Sequence, residues 1–246
     1  MEGNLKYRRV LLKLSGESLN AAQALGYDPE AVRDIAARLA ATVDGGLELA
    51  IVIGAGNLWR GAVGAKLGME RNTADYMGML GTVMNALCLK QALEQAGVGC
   101  EVMTAIPMHP IAEPFSHSKA IAYLEEGRVV IFAAGTGHPF FTTDTTAALR
   151  ALEIGAEAVL KATKVDGVYT DDPKKNPDAR RYATLSFDEA LDKRLKVMDA
   201  TAFSLCRDND LPIVVFDFSD PTSLDRVLAG DSSAATVVSN SAEPTE

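Results

Sequence analysis

The sequence predicts an open α/β fold, a three-layer α/β/α sandwich around a mainly parallel sheet. Three observations carry that reading. Short apolar runs alternate with stretches of helical periodicity along most of the chain, as in sheets whose strands are covered on both faces by crossover helices. Several apolar runs end in lysine or glycine followed by small polar residues, which places candidate ligand loops at the carboxyl ends of strands. The 246 residues, 48% hydrophobic and 23% charged, suffice to bury one large core.

Residues 8–14 (RRVLLKL) are the first expected strand, feeding the loop Ser15-Gly16-Glu17. From Asp28-Pro29 the apolar positions Val32, Ile35, Ala36, Leu39 and Val43 recur at helical spacing. Asp28 suits the N-cap, Pro29 the first turn, and Gly45-Gly46 ends the helix. Residues 47–53 (LELAIVI) are the second strand, broken by Gly54-Ala55-Gly56-Asn57, and this βαβ unit implies a right-handed crossover. A long helix is expected over about 70–95, a strand near 101–103, a helix near 118–125 and a strand over 128–133. A helix over 143–153 and a strand over 158–161 follow. Residues 165–177 (VDGVYTDDPKKNP) are dense in Asp, Pro, Lys and Gly and read as a turn-rich excursion outside the main sheet. Helices near 186–191 and 196–209, a strand over 212–216, a helix over 221–228 and a strand near 235–238 complete the pattern. With no repeat and no Pro/Ser linker, the chain reads as a single domain over 1–246 with its core at about 8–238; the polar tail 239–246 is expected to be disordered.

A net charge of -9 disfavours nucleic-acid polymers and anionic membranes as partners, because the long-range field repels phosphate polymers. Any phosphate must therefore be held locally. Cys88, Cys100 and Cys206 lie far apart without CxxC spacing and read as small core residues of a reducing compartment. The first nine residues are polar and no apolar run approaches the roughly 20 residues that span a bilayer, so a cytoplasmic protein is expected.

Four loops carry candidate chemistry. Lys13, ending the first strand before Ser15-Gly16, alternates with Val10, Leu12 and Leu14, and burying it without a partner would be costly. It is either a ligand contact or an exposed lysine before a turn, and no Walker A sequence is present. The turn from Gly54 through Gly56 towards Arg60 offers unhindered backbone donors and a guanidinium that suits phosphate, or simply a tight turn with a solvated arginine. The run Gly135-Thr136-Gly137-His138-Pro139-Phe140-Phe141-Thr142-Thr143-Asp144 combines glycines, hydroxyls and a helix start. A phosphate there would meet N–H groups, hydroxyls and the positive end of the helix dipole. Alternatively Thr142 or Thr143 caps the helix while the phenylalanines fill the core. Lys161 ends a strand as Lys13 does, and two such lysines could flank one polyphosphate, a geometry suited to phosphoryl transfer. Beyond it, Tyr169 either stacks on a purine or packs within the excursion. Asp75, early in the long helix, could accept hydrogen bonds from two ribose hydroxyls; it and Asp199 could equally be solvated or helix-starting acids. His109, His117 and His138 lack metal-ligand spacing, so no protein metal site is assigned.

Taken in order, VLLKLSGE, IVIGAGNLWRG, DYMGML, AAGTGHPFFTTDT, LKATKVDGVYTDDP and LKVMD resemble the bacterial uridylate kinases of the amino-acid kinase family, from about residue 9 to 238. The most specific pair is TGxPFFTTD followed by KATKVDGVY. The resemblance implies the carbamate kinase-like fold and transfer of the ATP γ-phosphoryl group to UMP with Mg2+. It puts Lys13, Leu14, Ser15, Gly16, Gly56, Arg60, Thr163, Tyr169 and Asp172 on the ATP side. Ala55, Asp75, Thr136, Gly137, His138, Pro139, Phe140, Phe141, Thr142 and Thr143 fall on the UMP side. Lys13, Lys161 and Arg60 would act on the transferring phosphoryl group, and Asp144 and Asp199 would orient the lysines and the metal-bound phosphates. A cytoplasmic homohexamer in pyrimidine biosynthesis is implied as well; separately, the long apolar helix over 70–95 is a candidate subunit contact.

Three departures stand out. Ala55 replaces the middle of a triple glycine, harmless if its φ is negative. His138 stands where the family commonly has Asn. Residues 20–26 (NAAQALG) lack the glycine-rich character of members activated by GTP. Two alternatives compete: an acylglutamate or carbamate kinase, which would need basic groups for a carboxylate and no Asp75, and a non-catalytic nucleotide sensor or storage protein, which predicts loss of a catalytic Lys or Asp.

Overall fold

A computed structural model describes residues 5–20 and 26–242 of the chain. Its first half contains β1 (Arg9–Leu14), a 3-10 helix (Gly16–Asn20), α1 (Pro29–Asp44), β2 (Glu48–Ile53), α2 (Gly61–Lys66), α3 (Arg71–Gln95), β3 (Cys100–Thr104), β4 (Glu113–Pro114) and α4 (His117–Glu125). There follow β5 (Val129–Ala133), α5 (Thr143–Glu153), β6 (Ala158–Thr163), β7 (Thr184–Ser186), α6 (Phe187–Asp192), α7 (Ala200–Asp208), β8 (Ile213–Asp217), α8 (Ser223–Leu228) and β9 (Ala235–Ser239).

The strands form one sheet in the order β4-β3-β5-β2-β1-β6-β8-β9-β7. Pairings are parallel except β8 with β9, so the sheet is mainly parallel, as the alternating pattern predicts. The chain runs outward from β1 through β2 on one side and returns to β6 on the other. That makes β1 the topological switch point, where a crevice opens beyond the strands' carboxyl ends.

Side-chain parity divides the core into two layers. Val10, Leu12 and Leu14 of β1 pack with α1, α3 and α8, whereas Leu11 packs with α4, α5 and α7 on the opposite face. On β6, Leu160 and Ala162 share the first layer and Val159 the second. Lys13 and Lys161 continue the odd-numbered rows, so both side chains project to the α5–α7 face. They are also direct partners in the β1–β6 register.

Several boundaries differ from those expected. The strand expected to end at Lys161 runs on to Thr163, pairing with β8 as far as Asp217. The helix expected from residue 196 begins at Ala200, because Asp199 caps it with an extended backbone and accepts the Ala202 N–H. Short β4, β7 and the 3-10 helix have no counterpart among the expected elements, while α2 is a helix onto which the glycine-rich turn before Arg60 opens. The tail expected to be disordered from residue 239 is ordered at its start. Ser239 closes β9, and Asn240 Nδ2 donates to the Arg207 carbonyl at 2.8 Å and to Asp210 at 2.5 Å. The remainder of that tail, 243–246, and residues 21–25 of the segment compared with GTP-activated members lie outside the described residues. Cys100 and Cys206 are core residues, and Cys88 is half-buried. Among the described residues no helix is long and apolar enough to cross a membrane.

Candidate active site

The crevice at the switch point is built around one carboxylate between two lysines. Asp144, in the first turn of α5, lies 2.9 Å from Lys13 Nζ through Oδ1 and accepts a 2.7 Å hydrogen bond from Lys161 Nζ on Oδ2. All three side chains are 14–17% exposed. Neighbouring strands run about 5 Å apart, so two ammonium groups in register would repel strongly without an anion between them. Burial pushes the Asp144 carboxyl up, but Lys13 and Lys161 outweigh it and hold the carboxyl below its ordinary range. Burial lowers Lys161, offset by Asp144 and reinforced by neighbouring Lys13. Two ammonium groups side by side at the strand tips suit a polyphosphate.

Lys161 Nζ also donates to the Val197 carbonyl at 2.6 Å, which leaves it a third donor. Asp199 is held next to it. It accepts hydrogen bonds from the Thr142 hydroxyl, from Thr145 Oγ1 at 3.1 Å and from the Ala202 N–H at 3.0 Å. Thr142 in turn caps α5, accepting from the N–H groups of Asp144 and Thr145. The N-termini of α5 and α7 are thereby joined, and both helix dipoles favour the carboxylate between them.

Two turns close the crevice from the β2 side. A Cβ on Gly54 would lie 3.5 Å from the Gly16 nitrogen and 3.7 Å from Thr143 Oγ1, so the turns after β1 and β2 and the start of α5 converge. Ala55 is not among the residues with positive φ, so the alanine is accommodated. Its methyl faces Gly81 of α3, where a Cβ would come within 2.9 Å. Arg60 lies at the cap of α2, pairs with Glu17 at 2.8 Å and donates to the Gly56 carbonyl; Glu17 also faces Lys164 at 3.3 Å. Glu17 and Lys164 escaped the sequence reading, although both sit within the quoted strand-end motifs.

Beyond Lys161 a cavity of about 600 Å³ is lined by Thr163, Tyr169, Asp172, Pro173 and Val215, a volume that admits a nucleoside. The expected donor-side residues split into two groups, with Lys13 to Gly16, Gly56 and Arg60 on the β1–β2 side and Thr163, Tyr169 and Asp172 in this cavity. Tyr169 donates its hydroxyl to Asp166 at 2.6 Å, and Asp172 caps its own turn by accepting the Lys174 N–H at 3.0 Å.

The loop between β5 and α5 forms the other wall. It holds Ala134 (φ 61) and Phe140 (φ 73) in the left-handed region, a strain that needs support. Support comes from α3: Thr82 accepts the Ala134 N–H at 2.9 Å, and Asp75 accepts the Phe140 N–H at 2.8 Å while also bound by Arg71. Asp75 is thus tied to the very loop with which the resemblance groups it. Phe140 and Phe141 are exposed at 64% and 49%, which removes the core-filling alternative. Among the described residues Thr136 bonds only within its loop, and His138 is exposed.

Four similarities bear on this geometry. Residues 8–217 match the description "Amino acid kinase family". The structure resembles a UMP kinase from Bacillus anthracis with a TM-score of 0.92 and 38% identity, covering 96% of this chain and 97% of that one. It resembles a UMP kinase from Ureaplasma parvum with a TM-score of 0.90 and 38% identity (96% and 100% covered), and a uridylate kinase from Archaeoglobus fulgidus with 0.72 and 27% (94% and 99% covered).

Proposed function

The chain belongs to the amino acid kinase family, and from that premise we propose that it transfers the γ-phosphoryl group of ATP directly to UMP, forming UDP and ADP. The observation that carries the reading is the Lys13–Asp144–Lys161 cluster at the switch point. Phosphoryl transfer asks a protein mainly to align two anions and to neutralise charge as it spreads over the moving group. Lys13 and Lys161 supply that charge from adjacent strands, and Asp144 keeps the ammonium groups apart and aimed. No side chain need act as base, because the acceptor is a phosphate oxygen that is already anionic. ATP occupies the side with the cavity and Arg60, and UMP the side with Ala55, Asp75 and the loop from Thr136 to Thr143.

The donor set accommodates Mg2+ in one way. Among the described residues no group of three acidic, Cys or His side chains could cage an ion, while Asp144 Oδ1, ion-paired with Lys13 at 2.9 Å, accepts no further hydrogen bond. Such a site suits a Mg2+ held chiefly by nucleotide phosphates with Asp144 and Asp199 behind it, where it would neutralise phosphate charge.

We read the chain as one kinase domain of a cytoplasmic homohexamer serving pyrimidine biosynthesis. Self-association is supported by Tyr76, Leu80, Met84 and Leu87, which recur at helical spacing on α3 and are 36–54% exposed. The test is ADP release measured across UMP, CMP, dTMP, AMP and acetylglutamate. Turnover restricted to UMP is the expected result; turnover of acetylglutamate, or of no acceptor, would sink the proposal.

A further inference from the structure

Beneath the glycine turns lies a buried polar cluster that the phosphoryl-transfer scheme does not use. Asn57 is 1% exposed and Asn85, in the middle of α3, is fully buried. Their side-chain amides bond each other in both directions, Asn57 Nδ2 to Asn85 Oδ1 at 3.1 Å and Asn85 Nδ2 to Asn57 Oδ1 at 2.7 Å. Each amide has one donor left. Asn85 gives its second to the Gly54 carbonyl at 2.7 Å, and Asn57 gives its second to the Gly26 carbonyl at 3.0 Å. Gly16 rests directly on the pair, since a Cβ there would come within 2.5 Å of Asn57 Oδ1 and 2.8 Å of Asn85 Nδ2. One pair of amides therefore seats the turn after β1, the turn after β2 and the entry to α1.

Burying two primary amides is unfavourable unless every donor finds an acceptor, and here all four do. Apolar side chains could fill the same volume without that demand, so the pair needs a reason beyond packing. Hydrogen bonds fix the direction of a peptide group, which dispersion contacts do not. Gly54 is held at both ends, its N–H on the Leu14 carbonyl at 3.0 Å and its carbonyl on Asn85. The next two N–H groups, of Ala55 and Gly56, have no acceptor among the described residues and are free for a ligand.

We infer that Asn57 and Asn85 are positioning residues, fixing the Gly54 peptide and the seat of Gly16 so that the backbone donors of both turns are set for nucleotide phosphate. This rests on the nucleotide reading above. It makes α3 the common support of the site, through Asp75, Thr82 and Asn85 on one side of the helix.

The test compares wild type with Asn57→Leu, Asn85→Leu and the double variant, using calorimetric binding of MgADP and steady-state kinetics with ATP and UMP. Each single variant should weaken MgADP binding and raise the KM for ATP by at least about tenfold, with a smaller change in kcat. The double variant should be no worse than the poorer single one, because either loss already leaves the other amide unpaired. A lower melting temperature with unchanged MgADP affinity and KM would reduce the pair to core packing and overturn the inference. Should the leucine variants fail to fold, Asn85→Asp keeps the shape and replaces the donor to Gly54 with a carboxyl. Its KM for ATP should rise with pH relative to wild type as that buried carboxyl ionises, and a parallel pH profile would overturn the inference. A wild type that binds MgADP without phosphorylating UMP defeats the proposed activity but leaves this comparison decisive. A wild type that does not bind MgADP overturns both.

Discussion

Asp144 and Lys161 contribute to the fold in opposite senses, although they are partners. Asp144 is the one carboxylate that bridges both ammonium groups, so deleting a lysine leaves it a single partner, whereas deleting Asp144 leaves two facing cations with no anion between them. Asp144→Asn should therefore cost about 3 kcal/mol of stability, whereas Lys161→Met should cost little or none, as chemical denaturation would measure. The same Lys161→Met change should lower kcat by at least about tenfold, or roughly 1.4 kcal/mol of transition-state stabilisation. Unchanged turnover would remove Lys161 from the catalytic group. The carboxyl of Asp144 lies below its ordinary value of 3.8 in the folded state. Its contribution is therefore fully present above that value and is lost as pH falls through the lower folded-state pKa. The stability gap between wild type and Asp144→Asn should hold at about pH 5 and close on acidification below 3.8. Sequence showed the two lysines, because a cation ending an apolar strand is conspicuous; Asp144 as their partner came only with the resemblance. Asn85 could not be read at all, being one polar residue inside a helix and 28 positions from Asn57.

At the scale of elements, loops and helix ends carry the chemistry while α3 braces them. The β5–α5 loop keeps two non-glycine residues at positive φ because Asp75 and Thr82 hold their N–H groups. Asp75→Ala should accordingly raise the KM for UMP far more than that for ATP. Equal changes in the two constants would contradict the assignment of that loop to the acceptor side. The long strands and capped helices were legible because apolar period and cap chemistry agree, as in Asp28-Pro29 before α1, where Asp28 accepts the N–H groups of Glu30 and Ala31. A two-residue strand such as β4 or a three-residue strand such as β7 has no period to read. The start of α7 was misjudged because the apolar spacing continues upstream through Val197, which is buried without being helical.

The molecule as a whole is a mainly parallel sheet whose reversal of strand order at β1 brings four loops from distant parts of the sequence to one crevice. The outer face of α3 leaves Leu80 and Met84 about half exposed, a liability unless another surface covers them. Leu80→Glu combined with Met84→Glu should shift the species seen by light scattering to a smaller assembly, and an unchanged mass would move the subunit contact elsewhere. Sequence foresaw the sheet, since the alternation of elements is local, and the neighbouring of the two lysine-tipped strands, but not the rest of the strand order, which depends on crossings between remote segments. At this scale the crevice hands one phosphoryl group from ATP to UMP. Phosphorus NMR of the protein with MgATP and UMP tests this most directly: the UDP resonances should grow in step with those of ADP. ADP appearing with inorganic phosphate and no UDP would contradict it.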